Sequence, residues 1–542
     1  MAAALALMVS AGVLGYVGWT RRNPVAPATH RAPPGTTRRA GTTPIPRTAR
    51  AARYLTEFGV ASRAMEAENE RPGTTSWRIP AEASTRAIQG FADHVAAIAG
   101  DTVGLYVSAP ARFHVEAYRM GYYGGTGARL VWQSGDIAAS PQPHCLLTKP
   151  ANTVSCANWS RTLTFRVTRQ FVPGDYLLKL VGPANEQSYV PLTVWDPASH
   201  AAYLVKNDVY TWQAWNAYGG YDFYTGPGSC PPNVYPLCSR ARVASFDRPY
   251  AFGAGAGDFM ANEYPLVQFV EQHGLDVTYA TDLTVEQHPE IVTAHRALLS
   301  LGHDECWSLH ERLAVVAAEV RGVNLVFFAA SPILRHVRLA PSSLGPGRIE
   351  IDYRNSAEDP LNGRGDPREV TGNTWGSPPA SWSASPFVGA TYAGFLENGA
   401  PSAPFVVADG QAWIFARTGL HTGARLPNVL ASDFDEFDPA SHPPSEQILG
   451  HSPIPLRHAQ SLIGRQDARV YSDMTYYTDP RSHAGVFDSG TNNWIPALVC
   501  AGCPSNIVQT MTANLLWLFG QAPAGTLRPS TPNWQRIYSS RT

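Results

Sequence analysis

At 542 residues with 44% hydrophobic side chains, the chain is long enough for about three domains with sizeable cores. Its formal net charge of −1 argues against nucleic acid or another acidic polymer as the main partner, because those need a basic face. Its lysines are Lys149, Lys179 and Lys206 alone; the excess of arginine is a compositional bias without a function attached.

Residues 1–19 are uncharged and almost wholly apolar, and Arg21-Arg22 follow. Such a length just spans a bilayer as one helix, and it lacks the basic start and small-residue cleavage site of a secretory signal. Segment 1–20 therefore reads as an N-terminal transmembrane anchor or signal segment. Residues 21–55 are rich in Pro, Thr, Arg and Ala without hydrophobic periodicity, which predicts a disordered tether. Their arginines favour the cytoplasmic side of a membrane, whereas the cysteines favour an oxidising compartment. Cys145 with Cys156, Cys230 with Cys238, and Cys500 with Cys503 form close pairs suited to disulfides. The combined reading is an exported protein, with its globular part outside the cytoplasm on a membrane anchor, or secreted.

From 82 to 196 short runs of alternating polarity are divided by Gly, Pro and Asp. Thr102–Val107, Phe113–Tyr118, Leu163–Val167, Tyr176–Leu180 and Tyr189–Trp195 are the predicted strands. Their spacing implies an all-β, immunoglobulin-like sandwich. From 197 to 525 strands alternate with helices. Ala202–Val205, Leu275–Tyr279, Arg296–Leu301 and Asn324–Phe328 read as strands. Asp258–His273, Thr284–Ala294 and Trp307–Val320 read as helices, the first ended by Gly274. This order implies an α/β domain with a doubly wound, mainly parallel sheet, flavodoxin-like or glutamine-amidotransferase-like. Further strands are predicted at Phe405–Val407, Ala412–Ala416 and Ala468–Tyr471, and a last helix at about Asn506–Phe519.

The chemistry concentrates in two stretches. Leu301-Gly302-His303-Asp304-Glu305-Cys306-Trp307 directly follows an apolar run, where an open α/β sheet keeps its ligands. His303 and Glu305 are two apart, so an extended segment turns both side chains to one side. They suit a metal ion, or an imidazole base held by a carboxylate; an ion pair at the following helix start is the bland alternative. Cys306 offers a thiol at a helix start but lacks the turn that exposes a nucleophile, and a buried inert cysteine is the simpler reading. The second stretch, Thr211–Tyr224, sets phenols, indoles and amides around Gly219-Gly220; as a bland reading it is an aromatic core edge. No GxSxG, HExxH or P-loop occurs.

These stretches also carry a resemblance. Thr211-Trp212-Gln213-Ala214-Trp215-Asn216 with Gly219-Gly220 and Tyr224, Phe246-Asp247-Arg248-Pro249-Tyr250, Glu263, Gly302-His303-Asp304-Glu305, Gly322-Val323-Asn324-Leu325, Thr418-Gly419-Leu420 and Gly490-Thr491 keep their order. In these landmarks the chain resembles the C-terminal domain family of the large (beta) subunit of N,N-dimethylformamidase, over about residues 85–520. The resemblance implies hydrolysis of a small amide at a mononuclear iron held by two tyrosines and a glutamate, with a histidine nearby. By motif, Tyr224 matches one tyrosine, Glu305 the glutamate and His303 the histidine. Trp215 stands at the other tyrosine, and Tyr218, three residues on, is the candidate replacement. Cys306 replaces an aromatic, and Ser331 stands where the family tends to have Asn.

Two functional classes follow. One is an amide (C–N) hydrolase-like protein with His303 and Glu305 as catalytic groups, and iron on Tyr224, Glu305 and Tyr218. The other is a non-catalytic protein binding a cell-envelope ligand through a degenerate metal site. The oligomeric state is left open by the sequence.

Overall fold

The computed structural model describes residues 53–228, 239–397, 400–455, 459–461 and 470–539. The predicted anchor, nearly all of the tether, and Cys230 with Cys238 lie outside them. The last residues assigned to the tether, Arg53–Leu55, pair with Val60–Ser62. Among the described residues no helix is long and apolar enough to cross a membrane.

The first body is all-β. Its strands are β1 (Gln89–Ala92), β2 (Thr102–Ser108), β3 (His114–Met120), β4 (Ala128–Gln133), β5 (Leu163–Arg166), β6 (Gly174–Val181) and β7 (Gln187–Val194). Of these, β2, β3, β5, β6 and β7 fall where alternation predicts them, and β1 and β4 are not among the predicted strands. They form a three-stranded sheet, β5-β2-β1, and a five-stranded sheet in which β7, β6, β3 and β4 follow a short strand at Ala96–Ala97. Val103, Leu105 and Val107 from the first sheet share one core with Val115, Leu178, Leu180 and Val190 from the second. Cys145 and Cys156 are joined by a disulfide beside this body, and Cys500 and Cys503 by another near the C-terminus.

The second body is a mixed α/β structure. Its elements are β8 (Tyr203–Asn207), α1 (Val209–Ala214), α2 (Tyr264–Gln272), β9 (Val277–Thr281), α3 (Asp282–Gln287), β10 (Ala297–Ser300), α4 (Leu309–Val320) and β11 (Asn324–Phe327). Then come β12 (Arg335–Ser342), β13 (Gly345–Ile351), β14 (Thr391–Leu396), β15 (Asp433–Glu436), β16 (Gln447–Ile454), β17 (Val470–Thr478), β18 (Gly485–Asp488) and α5 (Ser505–Phe519). The central sheet has seven strands in the order β9-β8-β10-β11-β18-β17-β16. Its first five are mutually parallel; β17 runs antiparallel to β18, and β16 antiparallel to β17. The parallel strands are apolar runs with every residue of β8 to β11 buried, as strands covered on both faces require.

Several element boundaries differ from the sequence reading for local reasons. The helix predicted at 258–273 is a π-helical turn, Phe259–Glu263, running into α2, because Pro265 sits in the first turn of a new helix. The helix predicted at 284–294 starts at Asp282 under a Thr281–Thr284 capping box and changes to a 3-10 turn at Pro289. Cys306–Ser308 is a short strand paired with Arg335–Val337, and α4 begins only after Ser308, whose Oγ accepts from the Glu311 amide at 3.1 Å. The strand predicted at 412–416 is a 3-10 turn, Trp413–Phe415.

Candidate functional site

Strand order puts β9 on one side of β8 and β10 on the other, so the chain leaving these carboxyl ends turns to opposite sides, at the switch point where open α/β sheets keep their ligands. Gly302 turns the chain out of β10 at φ +38; a Cβ at this position would lie 2.5 Å from the Asn262 carbonyl oxygen. The backbone then holds still because Thr211 Oγ1, on α1, accepts from the amides of Glu305 (3.0 Å) and Cys306 (3.1 Å). The His303-Asp304-Glu305 segment is thereby fixed by a hydroxyl from one of the landmark stretches.

Glu305 is the centre of the cluster. Its Oε2 accepts from Trp215 Nε1 at 3.2 Å and from the Tyr224 hydroxyl, and its Oε1 from Arg335 Nε at 3.1 Å. Burial opposes its charge, yet the Arg335 guanidinium, then His303 and the Tyr224 hydroxyl, hold its carboxyl below the ordinary glutamate value. Tyr224 shifts the other way: burial and the adjoining Glu305 carboxylate push its phenol well above the usual range. The Trp215 indole stacks on Tyr224 with ring centres 3.7 Å apart and 12° between planes. The Arg354 guanidinium lies over the Tyr224 ring, 4.5 Å from its centre.

His303 Nε2 stands between two carboxylates, 3.7 Å from Glu305 Oε2 and 3.6 Å from Asp433 Oδ2, and makes no hydrogen bond among the described residues. Asp433 begins β15; Tyr392 on β14 donates to its Oδ1 (3.1 Å) and Asn492 to its Oδ2 (3.0 Å). Burial, eased by His303 and reinforced by Glu305, pushes its carboxyl up to about 6. The side chains of His303 and Asp433 are each 17% exposed, against 6% for Glu305, so the solvent-facing side of the cluster is the histidine–aspartate side.

Asp304 points elsewhere. It accepts from Ser300 Oγ and lies 2.8 Å from Lys206 Nζ, which also binds Asp282 and sits 3.1 Å from Glu311 and 3.7 Å from Asp208. All five side chains are at most 1% exposed. Ligand oxygens of Asp208, Asp282 and Asp304 lie within 4.8 Å of one another, a spacing that suits a cation. The ammonium of Lys206 already supplies that charge, over the face of Trp307 at 4.7 Å.

Of the residues singled out in the sequence, His303, Glu305 and Tyr224 come together. Tyr218 does not join them. The Gly219-Gly220 turn (φ +78 and +92) directs its hydroxyl to Gln89 Oε1 on β1, at 3.1 Å, where it packs with Phe91, Tyr106 and Trp159. Cys306 is fully buried in a short strand, and burial beside Glu305 pushes its thiol well up, the opposite of an activated nucleophile. Ser331 adopts φ +60, a left-handed conformation that asparagine tolerates better than most residues, and its amide donates to both oxygens of Asp435. Sequence reasoning missed Arg335, Tyr392, Asp433, Asn492 and Lys206. Only Lys206 left a signal, as one of the few lysines and at the end of an apolar strand.

Comparison with protein families identifies the class: residues 114–506 match the family described as N,N-dimethylformamidase beta subunit-like, C-terminal, and the chain belongs to that family. No curated protein matches it. The iron centre implied by the resemblance can be tested on the donors present. Two phenolates and a carboxylate are required. Here the second phenolate position holds an indole, whose N–H donates to the carboxylate and has no basic lone pair to offer a metal. Tyr218 is committed to β1, and Glu305 is compensated by a guanidinium. This set does not fit a ferric ion.

Proposed function

We propose that the chain is a hydrolase of small non-peptide amides, cleaving a C–N bond with His303 as its acid–base group. Family membership supports the reaction class, and the single observation that carries the assignment is the unpartnered His303 Nε2 between Asp433 and Glu305. In this reading a water molecule enters from the exposed side. As its oxygen bonds to the amide carbonyl carbon, its proton passes to His303 Nε2, with ionised Asp433 stabilising the imidazolium. The C–N bond then breaks while His303 returns the proton to the leaving nitrogen, giving carboxylic acid and amine. Tyr392 and Asn492 hold Asp433, and Arg335, Trp215 and Tyr224 hold Glu305.

The test is amine release by the purified full chain from a panel of formamides and acetamides, alongside His303→Gln. The variant should lose at least about a hundredfold in kcat/KM while keeping its fold. Equal release by both proteins would overturn the assignment.

Trp215 in the place of a ligand favours a second reading, a non-catalytic protein that binds cell-envelope material at the aromatic wall of Trp215 and Tyr224. Retention of the chain on cell-wall glycan, without hydrolysis of any amide, would decide for it. We further read the protein as exported or tethered by residues 1–20, supported by the two disulfides. The order of the five parallel strands supports a flavodoxin-like sheet, and the shared core of the two N-terminal sheets an immunoglobulin-like sandwich.

A further inference from the structure

The residues around Glu305 do more than leave out a ligand. An ion in this place needs Glu305 Oε2 and the Tyr224 oxygen free, with a third anionic oxygen to complete the set. Oε2 instead accepts two hydrogen bonds, from Trp215 and from Tyr224, and the Tyr224 hydroxyl is used in donating one of them. The indole lies flat on the phenol at 3.7 Å, so the flank from which another oxygen would approach is filled by carbon. The positive charge is already there. Arg335 is bonded to Oε1 and anchored by the carbonyl and side-chain oxygens of Asn373, and Arg354 lies 4.5 Å from the Tyr224 ring. Ferric iron at Glu305 would meet two fixed guanidinium groups and a carboxylate already bonded to one of them, a poor exchange for an ion that favours hard anionic oxygens.

We propose that Trp215 has converted this centre into a metal-free one, in which the Arg335 guanidinium supplies the fixed charge that a metal ion would otherwise bring to Glu305. The inference rests on the amide-hydrolase reading only for its consequence, that His303 and Asp433 carry the proton transfers unaided by a Lewis acid. The exclusion of iron stands independently, on the hydrogen bonds and stacking of Trp215. One residue makes the difference. A phenol at position 215 would restore the missing oxygen, on the Tyr224 side of Glu305.

The experiment is iron content and visible absorption of the full chain after anaerobic loading with ferrous iron, re-oxidation and removal of unbound metal. Wild type, Trp215→Phe and Trp215→Tyr are compared at equal thermal stability. Wild type and Trp215→Phe should stay empty and colourless. Trp215→Tyr should take up near-stoichiometric iron and gain a broad visible band from phenolate-to-ferric charge transfer, lost again in Trp215→Tyr/Tyr224→Phe. Near-stoichiometric iron in wild type overturns the proposal. So does iron in Trp215→Phe, because the phenol would then be unnecessary, and so does a folded but empty Trp215→Tyr. Amide turnover is read separately on the iron-free wild type with chelator present. Its absence would sink the hydrolase reading and leave the metal assignment in place.

Discussion

Two charged clusters meet at His303-Asp304-Glu305, and consecutive residues serve different ones. Asp304 belongs to the Lys206 cluster, where an ammonium is enclosed by Asp208, Asp282, Asp304 and Glu311 at no more than 1% exposure. His303 and Glu305 belong to the outer cluster, which reaches solvent through His303 and Asp433. The residue types are nearly the same in both, carboxylates around a fixed cation. What separates them is access and unspent capacity. Lys206 is locked by oxygen contacts from several elements, whereas His303 Nε2 is buried beside two carboxylates with no hydrogen bond among the described residues. A cation sealed among carboxylates holds strands and loops together. In the proposed reaction, an unbonded imidazole nitrogen on a side chain that reaches solvent is the group available for proton transfer.

The sharpest way to break this comparison is Lys206→Met. Removing the ammonium leaves four buried carboxylates without compensation, and breaking a buried pair in this way costs about 3–5 kcal/mol. Burial and mutual repulsion already push Asp208 and Glu311 well above the ordinary carboxylate range, so they can take up protons and recover part of that loss. Denaturant unfolding should still show a large drop in midpoint, with unchanged slope. A variant as stable as wild type would mean that Lys206 is not the structural cation of its cluster.

The second prediction concerns Asp433 and tests the outer cluster. With its carboxyl pushed up to about 6, Asp433 is ionised above that pH and protonated below it. Amide hydrolysis should therefore fall as pH drops through about 6, by about tenfold per unit, and this limb should vanish in Asp433→Asn. The same shift has a stability consequence of opposite sign. A carboxyl with a folded value above its unfolded one binds more protons when folded, so ionising it costs stability as pH rises from about 4 to about 6. Asp433→Asn should thus be less active yet more stable than wild type at pH 8, by up to about 3 kcal/mol. A variant losing both properties would assign Asp433 a purely structural part.

Much of this architecture could be read from sequence where a local rule governs it. Alternating polarity placed β2, β3, β6 and β7, and uninterrupted apolar runs placed β8, β10 and β11 to within a few residues. The period-2 rule also put His303 and Glu305 on one side. Asp433, Tyr392 and Asn492 were out of reach because they arrive from β14, β15 and the turn after β18, beyond long segments without periodicity. Their meeting with His303 depends on a separate antiparallel pair, β14 with β15, and on a turn after β18, which no local pattern encodes. Tyr218 shows the reverse case: its place three residues after Trp215 suggested it as the replacement for the missing tyrosine, and two glycines at positive φ turned it toward β1 instead.

The smallest expected effect lies between the clusters, at Thr211. Its Oγ1 is the acceptor for two consecutive buried amides, Glu305 and Cys306, and so fixes the segment whose residues divide between the two sides. Thr211→Val keeps the shape and removes the oxygen, leaving two buried donors unsatisfied at a cost of about 1–3 kcal/mol. If the segment relaxes to recover those bonds, Glu305 moves away from Trp215 and Arg335, and amide turnover should fall more than stability alone explains. Steady-state kinetics at a temperature well below the melting midpoint separates the two. A loss in kcat with unchanged KM would identify Thr211 as a positioning residue for Glu305 and His303, and unchanged kinetics in a destabilised variant would confine it to holding the fold.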